Sequence, residues 1–362
     1  MNPLAIPRLT LQGSSRDIGQ AHGETFRPLV RDNVETYFAI FAHYAGLSRE
    51  QVLSRASLFM PVIEQFDADL FEEIRGIAAA SGNQLEEIVA INSRTEIMFK
   101  ETPHLGECTA LAATPEATAS GHTLLGQNWD WMPKLDGHVL LLTIKQKGQE
   151  GQEEKPTILT YTEAGIVAKI GMNSAGLGVC VNLLVSDSTR VGLPFHILCR
   201  GILNSFSMGE ALGKIFDHQT GASANYLIGH MDGEAIDIET NPSGVEYLYS
   251  QEGTLSHANH FESRLPVPDE GRKIFPDTIL RSCRSGKFLA QQRGKISVET
   301  LQTILQDHFN YPSSICRHPD TRAHELEQVQ TNASIVMNLT ERIMWICEGN
   351  PCKGGYTAVP LV

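Results

Sequence analysis

The segment that decides the fold is Gly106-Glu107-Cys108-Thr109-Ala110-Leu111-Ala112-Ala113-Thr114-Pro115, a short polar connection, and then Gly121-His122-Thr123-Leu124-Leu125-Gly126-Gln127-Asn128-Trp129-Asp130-Trp131. Cys108 to Thr114 is small and apolar, the connection carries Pro, Glu, Ser and Gly, and Thr123 to Trp131 returns to apolar and aromatic residues. The pattern spells two strands joined by a turn. A cysteine stands at the mouth of this hairpin, and a carboxylate, Asp130, sits near the far end of the partner strand. Were the chain cut just before Cys108, the thiol and a new α-amine would share one residue. Such an amine, with a pKa of about 7.7–8.0, serves as a base near neutral pH, where a lysine needs a large shift to do so.

Working outward, the chain upstream of the hairpin reads as helix. Over residues 14–100, Ser14 and Ser15 can cap a segment whose apolar positions Ile18, Ala21, Phe26, Leu29, Val30, Val34, Phe38 and Phe41 recur at helical spacing. Ser48 with Gln51 makes a capping box, Pro61 marks a break before a third helix, Gly82-Asn83 ends it, and a fourth carries Leu85, Ile88, Val89, Ile91 and Ile97. Thr102-Pro103-His104-Leu105-Gly106 reads as a loop leading to Cys108. Downstream, strand-like runs at 138–145, 157–162, 165–173 and 178–184 precede helical segments at 195–204 and 208–217. Strands follow at 225–231, 234–239 and 245–250, helices at 275–290 and 298–309, a polar loop at 311–330, and a last hairpin of 333–338 with 342–348. Blocks of strand and helix without βαβ alternation predict an antiparallel α+β fold with helices outside two packed sheets. Cys108 marks the boundary between a helical segment, 1–107, and a strand-rich segment, 108–362, expected to fold as one unit.

Composition narrows the function. With 42 acidic against 29 basic residues, a net charge of −13 and no Lys/Arg cluster, phosphate neutralisation has no obvious surface, and nucleic acid is excluded as the expected partner. No basic start followed by an apolar run opens the chain, and no stretch reaches the roughly 18 apolar residues of a membrane span. A cytoplasmic protein without a membrane partner is the expectation. The cysteines at 108, 180, 199, 283, 316, 347 and 352 are odd in number and scattered, as reduced thiols would be. His257 and His260 lack further ligands at suitable spacing, and the pair Cys347 and Cys352 has no matching second pair, so no metal is expected.

Several stretches resemble the acyl-coenzyme A:6-aminopenicillanate (isopenicillin N) acyltransferase family, an autoproteolytic branch of the N-terminal nucleophile hydrolases. They are Asp17-Ile-Gly-Gln-Ala-His-Gly, Glu73-Ile-Arg-Gly-Ile-Ala, Asn92-Ser-Arg-Thr-Glu, Cys108-Thr, Gly126-Gln-Asn-Trp-Asp, Thr162-Glu-Ala-Gly-Ile, Asn173-Ser-Ala-Gly, Ala258-Asn-His and Tyr311-Pro-Ser-Ser-Ile-Cys-Arg, in order along nearly the whole chain. The resemblance implies a four-layer αββα sandwich and a precursor that cuts itself between Glu107 and Cys108 into two chains that stay associated. The family's best-known members have Gly where this chain has Glu107.

By motif match, Cys108 would be the nucleophile, Asp130 and Arg317 its charged neighbours, and Asn259 an oxyanion donor. Asp130 would accept hydrogen bonds near the nascent amine. Arg317 would pair bidentately with Asp130 or favour the Cys108 thiolate. Trp129 and Trp131 are read as facing opposite sides of their strand, one of them lining an acyl pocket. The implied substrate is a small N-acyl amide or an acyl-CoA thioester. No cofactor is required, and coenzyme A is a cosubstrate if transfer is the physiological direction. The bland alternatives are a buried structural thiol at 108, a turn asparagine at 259 and a surface charge at 317. At the level of function they are a non-catalytic scaffold on the same fold, or an unprocessed cysteine amidase using a histidine base.

Overall fold

Local capping signals set the helices of the leader. In the computed structural model, which describes residues 4–98, 107–148, 154–250 and 252–362, Ser14 and Ser48 each accept a hydrogen bond from the backbone N–H three residues on, closing capping boxes with Asp17 and Gln51. The helices are α1 (Ser15–Thr25), α2 (Arg27–Ala45), α3 (Arg49–Ser57), α4 (Met60–Phe66), α5 (Ala68–Ser81), α6 (Leu85–Asn92) and α7 (Arg94–Met98). The continuous first helix expected from periodicity is two, divided at Phe26 before Pro28. The loop read at 102–106 lies outside the described residues. The leader is not purely helical, because β1 (Arg8–Gly13) precedes α1 and pairs parallel with a strand of the body.

The body alternates strand blocks with helices: β2 (Glu107–Ala113), β3 (Leu124–Trp131), β4 (Val139–Gln146), β5 (Ile158–Glu163), β6 (Ile170–Asn173) and β7 (Leu177–Leu183), then α8 (Phe195–Leu203) and α9 (Met208–Phe216). Next come β8 (Ala224–His230), β9 (Glu234–Asn241), β10 (Gly244–Tyr249) and β11 (Thr254–His257), followed by α10 (Gly271–Ile274), α11 (Asp277–Gln291) and α12 (Val298–Leu305). The described chain closes with β12 (Gln330–Asn338), β13 (Ile343–Glu348) and β14 (Thr357–Pro360). One sheet runs β1-β4-β5-β6-β7-β8-β9-β10 and the other β11-β2-β3-β12-β13-β14, antiparallel except at β1/β4.

The sheets face one another and the helices cover their outer faces, giving an α+β sandwich of four layers. Period-two alternation sorts β2 and β3 between two cores. Ala110, Ala112, Leu125 and Trp129 join the inter-sheet core, whereas Leu111, Ala113 and Leu124 pack with Leu289, Leu301 and Leu305 of α11 and α12. Gln127 ties the sheets together: its side-chain amide donates to Val181 O at 2.5 Å and its Oε1 accepts from Val181 N at 2.8 Å. Among the described residues no helix is long and apolar enough to cross a membrane.

Leader and body share buried polar contacts as well as a core. Arg200 of α8 forks onto Glu73 of α5 at 2.8 and 2.9 Å, and Asn33 of α2 donates to Ala164 O at 2.8 Å. Within the leader, α1 and α5 approach through glycine, and a Cβ at Gly19 would lie 1.9 Å from Glu73 O. Gly19→Ala is therefore expected to force the helices apart at a cost of about 2–3 kcal/mol, read from the denaturant midpoint at constant m-value.

Candidate active site

Cys108 is the second residue of β2, opposite Trp129 of β3, and is buried. Its position on the inward-facing set turns the thiol into the space between the sheets. There it lines a cavity of about 30 Å³ with Arg94, Thr95, Trp129, Trp131, Lys169, Val181, Leu183 and Phe195. Its backbone bonds run sideways, away from β3: Cys108 N donates to Asn259 Oδ1 at 2.8 Å, and Cys108 O accepts from Arg281 at 2.7 Å. Burial pushes the thiol up to about 12, with the Asp130 charge adding to the rise. The Asp130 N–H, Lys169 and Gln127 oppose it. A thiol so placed needs a base to react.

Glu107 and Asp130, opposite one another in register, fall on the other face of the sheet, toward α11. There Arg281 and Arg317 meet three carboxyl groups. Arg281 donates to Glu107 Oε2 at 2.7 Å, to Asp277 at 2.9 Å and to Asn259 Oδ1 at 3.0 Å. Arg317 donates to Glu107 and to Asp277, the latter at 2.6 Å. Two cations face two buried acids, Glu107 and Asp130, and the half-buried Asp277, which leaves one proton to be held. Burial raises the Glu107 carboxyl to about 8 against the pull of Arg317 and Arg281, whereas the same guanidinium groups outweigh burial at Asp277 and lower it. Burial likewise raises Asp130, to about 6.

A second charged group lies on the thiol's own side. Lys169 Nζ sits 3.3 Å from the centroid of the Trp129 ring and 2.8 Å from Glu163 Oε2. Glu163 also accepts from Arg94 at 3.1 Å and from Tyr37. Burial lowers Lys169 to about 7, even though Glu163 favours its charged form. Arg94 and Lys169 outweigh the burial of Glu163 and hold it near 2.

The residues read from sequence converge on one end of β2, with some roles altered. Trp129 and Trp131 both line the Cys108 cavity, and the expectation that they diverge is corrected: residues two apart on a strand share a face. Asp130 is not the acceptor at the Cys108 nitrogen, because that N–H points to Asn259 on the β11 side, away from β3. Asp130 instead accepts from Thr331 Oγ1 at 2.6 Å, and its Oδ2 faces Arg317 Nε at 3.8 Å. Neither of those facing atoms has a hydrogen-bond partner among the described residues. Arg317 thus forks onto Glu107 and Asp277 rather than onto Asp130, and the cation that favours the thiolate is Lys169. Asn259 presents its carbonyl to Cys108 N and donates its amide to Leu183 O at 2.9 Å.

Sequence reasoning missed Lys169, Glu163, Arg281 and Asp277. For Lys169 a signal existed, since it is the lone charge in Ala164-Gly-Ile-Val-Ala-Lys-Ile-Gly-Met172. A cation buried in such an apolar stretch must find a partner. Arg281 gave none, because Arg281 and Arg284 on α11 read alike, although one is buried and the other is not.

A family model described as acyl-coenzyme A:6-aminopenicillanic acid acyl-transferase matches residues 117–353, a span that holds Asp130, Asn259 and Arg317 and begins after Cys108. The chain is 30% identical over 313 residues to the 40 kDa form of acyl-coenzyme A:6-aminopenicillanic-acid-acyltransferase from Emericella nidulans, covering 85% of this chain and 84% of that protein. Among solved structures, conjugated bile acid hydrolase from Clostridium perfringens aligns at a TM-score of 0.47 and 13% identity, over 70% of this chain and 92% of its own. Penicillin V acylase from Agrobacterium tumefaciens aligns at 0.47 and 11%, over 67% and 83%.

Proposed function

The chain belongs to the acyl-coenzyme A:6-aminopenicillanic acid acyl-transferase family, and on that premise we propose that it is an acyltransferase or amidohydrolase whose nucleophile is Cys108, made terminal by self-cleavage after Glu107. One observation carries the proposal: the same residue turns its thiol into the inter-sheet cavity and its main-chain nitrogen onto Asn259. An amine released at that nitrogen is already held by a hydrogen-bond acceptor, within reach of its own side chain.

Two stages follow. In the precursor a base takes the thiol proton, Sγ attacks the Glu107 carbonyl carbon, the Glu107–Cys108 C–N bond breaks, and the departing nitrogen is protonated. Water then hydrolyses the Glu107 thioester, leaving an α-carboxylate and a free thiol. In turnover the α-amine takes the thiol proton and the thiolate attacks an N-acyl amide or acyl thioester. The leaving amine or thiol departs with a proton, and water or an acceptor amine resolves the acyl-enzyme. When the donor is an acyl-CoA, coenzyme A is the leaving thiol. Asn259 keeps its Oδ1 on the Cys108 nitrogen and is assigned the oxyanion through its Nδ2, which must give up Leu183 O to reach it. A recess of about 420 Å³ bounded by Glu107, Tyr44, Phe275, Pro312 and Arg317 opens on the face of the sheet away from the thiol; Cys108 is not among its described lining residues, and no substrate is assigned to it. The unprocessed amidase with a histidine base is disfavoured, because none of the described residues lining the Cys108 cavity is histidine.

Lys169 is assigned as the base of the first stage. Its amine is mostly unprotonated above about 7, and it lines the thiol's cavity. Cleavage of the precursor is therefore expected to accelerate as pH rises through about 7 and then to level off. Lys169→Met, which leaves Glu163 paired with Arg94, should slow cleavage about 10²-fold and remove the inflection. Gel time courses across pH read both, and an unchanged profile in the variant would move the base elsewhere. The acyl-enzyme itself is tested by mass spectrometry after a short exposure to an acyl thioester. The adduct is expected on the fragment beginning at Cys108 and at that residue; an adduct confined to the exposed Cys283 or Cys352 would sink the assignment.

A further inference from the structure

A second cluster, independent of the chemistry at Cys108, lies where the connection after α12 meets the turn between β13 and β14. His308, Cys316, His318 and Cys352 bring four ligand atoms within 4.8 Å of one another. His318 Nε2 is 3.1 Å from His308 Nε2, 3.7 Å from Cys316 Sγ and 3.5 Å from Cys352 Sγ. A tetrahedral zinc ion with Zn–N of about 2.0–2.1 Å and Zn–S of about 2.3 Å separates its ligand atoms by about 3.3–3.8 Å. The three measured separations match those edges to within a few tenths of an ångström.

Hydrogen bonding alone accounts poorly for this arrangement. One imidazole nitrogen carries either a proton or a lone pair, yet His318 Nε2 faces three partners at once. A cation at the centre satisfies all four ligands together. We propose that these residues form a structural zinc site of Cys₂His₂ type. Two thiolates neutralise the divalent charge, and the thiolate–imidazole set in four-coordinate geometry selects zinc over the oxygen-seeking cations. Asn350 Nδ2 lies 3.9 Å from Cys316 Sγ and donates to Arg317 O at 2.6 Å, a supporting contact of the kind that orients metal ligands. Cys316 and His318 are buried while His308 and Cys352 are exposed, so the ion has a route in from solvent.

The site would also serve the first one. Arg317 stands between two of the ligands, so a metal that clamps residues 308–318 to the turn at 352 fixes the backbone from which Arg317 reaches Glu107 and Asp277. Local spacing could not disclose it, because the fourth ligand comes from 34 residues beyond the third along the chain.

The test uses the untagged full chain. Elemental analysis is expected to find about one zinc per chain, and cobalt added to chelator-treated protein should give the visible bands of a tetrahedral cobalt thiolate. The double variant His308→Ala/Cys352→Ser, altered only at the two exposed ligands, should lose zinc at least about ten-fold. Chelation should lower Tm by about 5 °C or more, with recovery on zinc addition. Wild-type protein that takes up neither zinc nor cobalt, a Cys316–Cys352 disulfide in freshly purified protein, or a Tm indifferent to zinc would overturn the proposal.

Discussion

Held at neutral pH, the purified wild-type chain is expected to resolve into two fragments beginning at Met1 and Cys108, while Cys108→Ala stays whole and loses acyl turnover by at least about 10⁴-fold. The size of the effect follows from one residue having two tasks. The substitution removes the nucleophile of the first stage, and without that stage the α-amine that serves as base in the second never forms. A lesser group cannot stand in, since among the described residues no other cysteine side chain lines the cavity. Cys283→Ala, exposed on α11, should cleave and turn over at the wild-type rate and controls for general thiol effects. Intact mass reads the outcome directly. A wild-type chain that stays whole after prolonged incubation would falsify the self-cleavage mechanism.

The second large effect concerns Arg281, which is only 2% exposed. Its guanidinium answers Glu107, Asp277, Asn259 Oδ1, the Cys108 carbonyl and Thr109 Oγ1. Arg281→Met keeps most of the volume and abandons the buried Glu107 and the half-buried Asp277 to Arg317 alone. Removing one partner from a buried ionic network typically costs about 3–5 kcal/mol, because the remaining charges stay desolvated. The loss should appear in chemical denaturation on the Cys108→Ala background, where the chain is whole and the m-value interpretable. Adding Glu107→Gln should restore part of it, since one of the stranded acids is then gone. A loss below about 1 kcal/mol would mean that solvent reaches the cluster and that Arg281 is an ordinary surface charge.

What could be read from the chain divides by range. The Cys108 hairpin was legible because turn residues and period-two alternation are local signals, and the observed pairing of Cys108 with Trp129 follows from them. The capped starts at Ser14 and Ser48 were legible for the same reason. β1 was not, because its partner β4 lies far along the chain and no hairpin marks it, and β14 was not, because four residues carry too little pattern. That Trp129 and Trp131 share a face is likewise a local consequence of the strand period. Which charge meets which was hidden in principle. Arg281 and Glu107 are 174 residues apart, and only the closing of the sandwich decides that Arg317 turns to Glu107 while Lys169 turns to the thiol. The resemblance supplied residue identities at the site, but not the face of the sheet on which each stands.

The buried contacts from leader to body, Arg200 onto Glu73 and Asn33 onto Ala164, bear on how the molecule comes apart. In the whole chain, unfolding is unimolecular and its midpoint is independent of concentration. After a cut at Glu107, the same contacts join two polypeptides, so unfolding becomes dissociation, and dilution lowers the midpoint. Refolding then requires the two pieces to find each other. The peptide bond that built the fold would have left it with no covalent route back, and a cut molecule, once opened in dilute solution, would be lost rather than recovered.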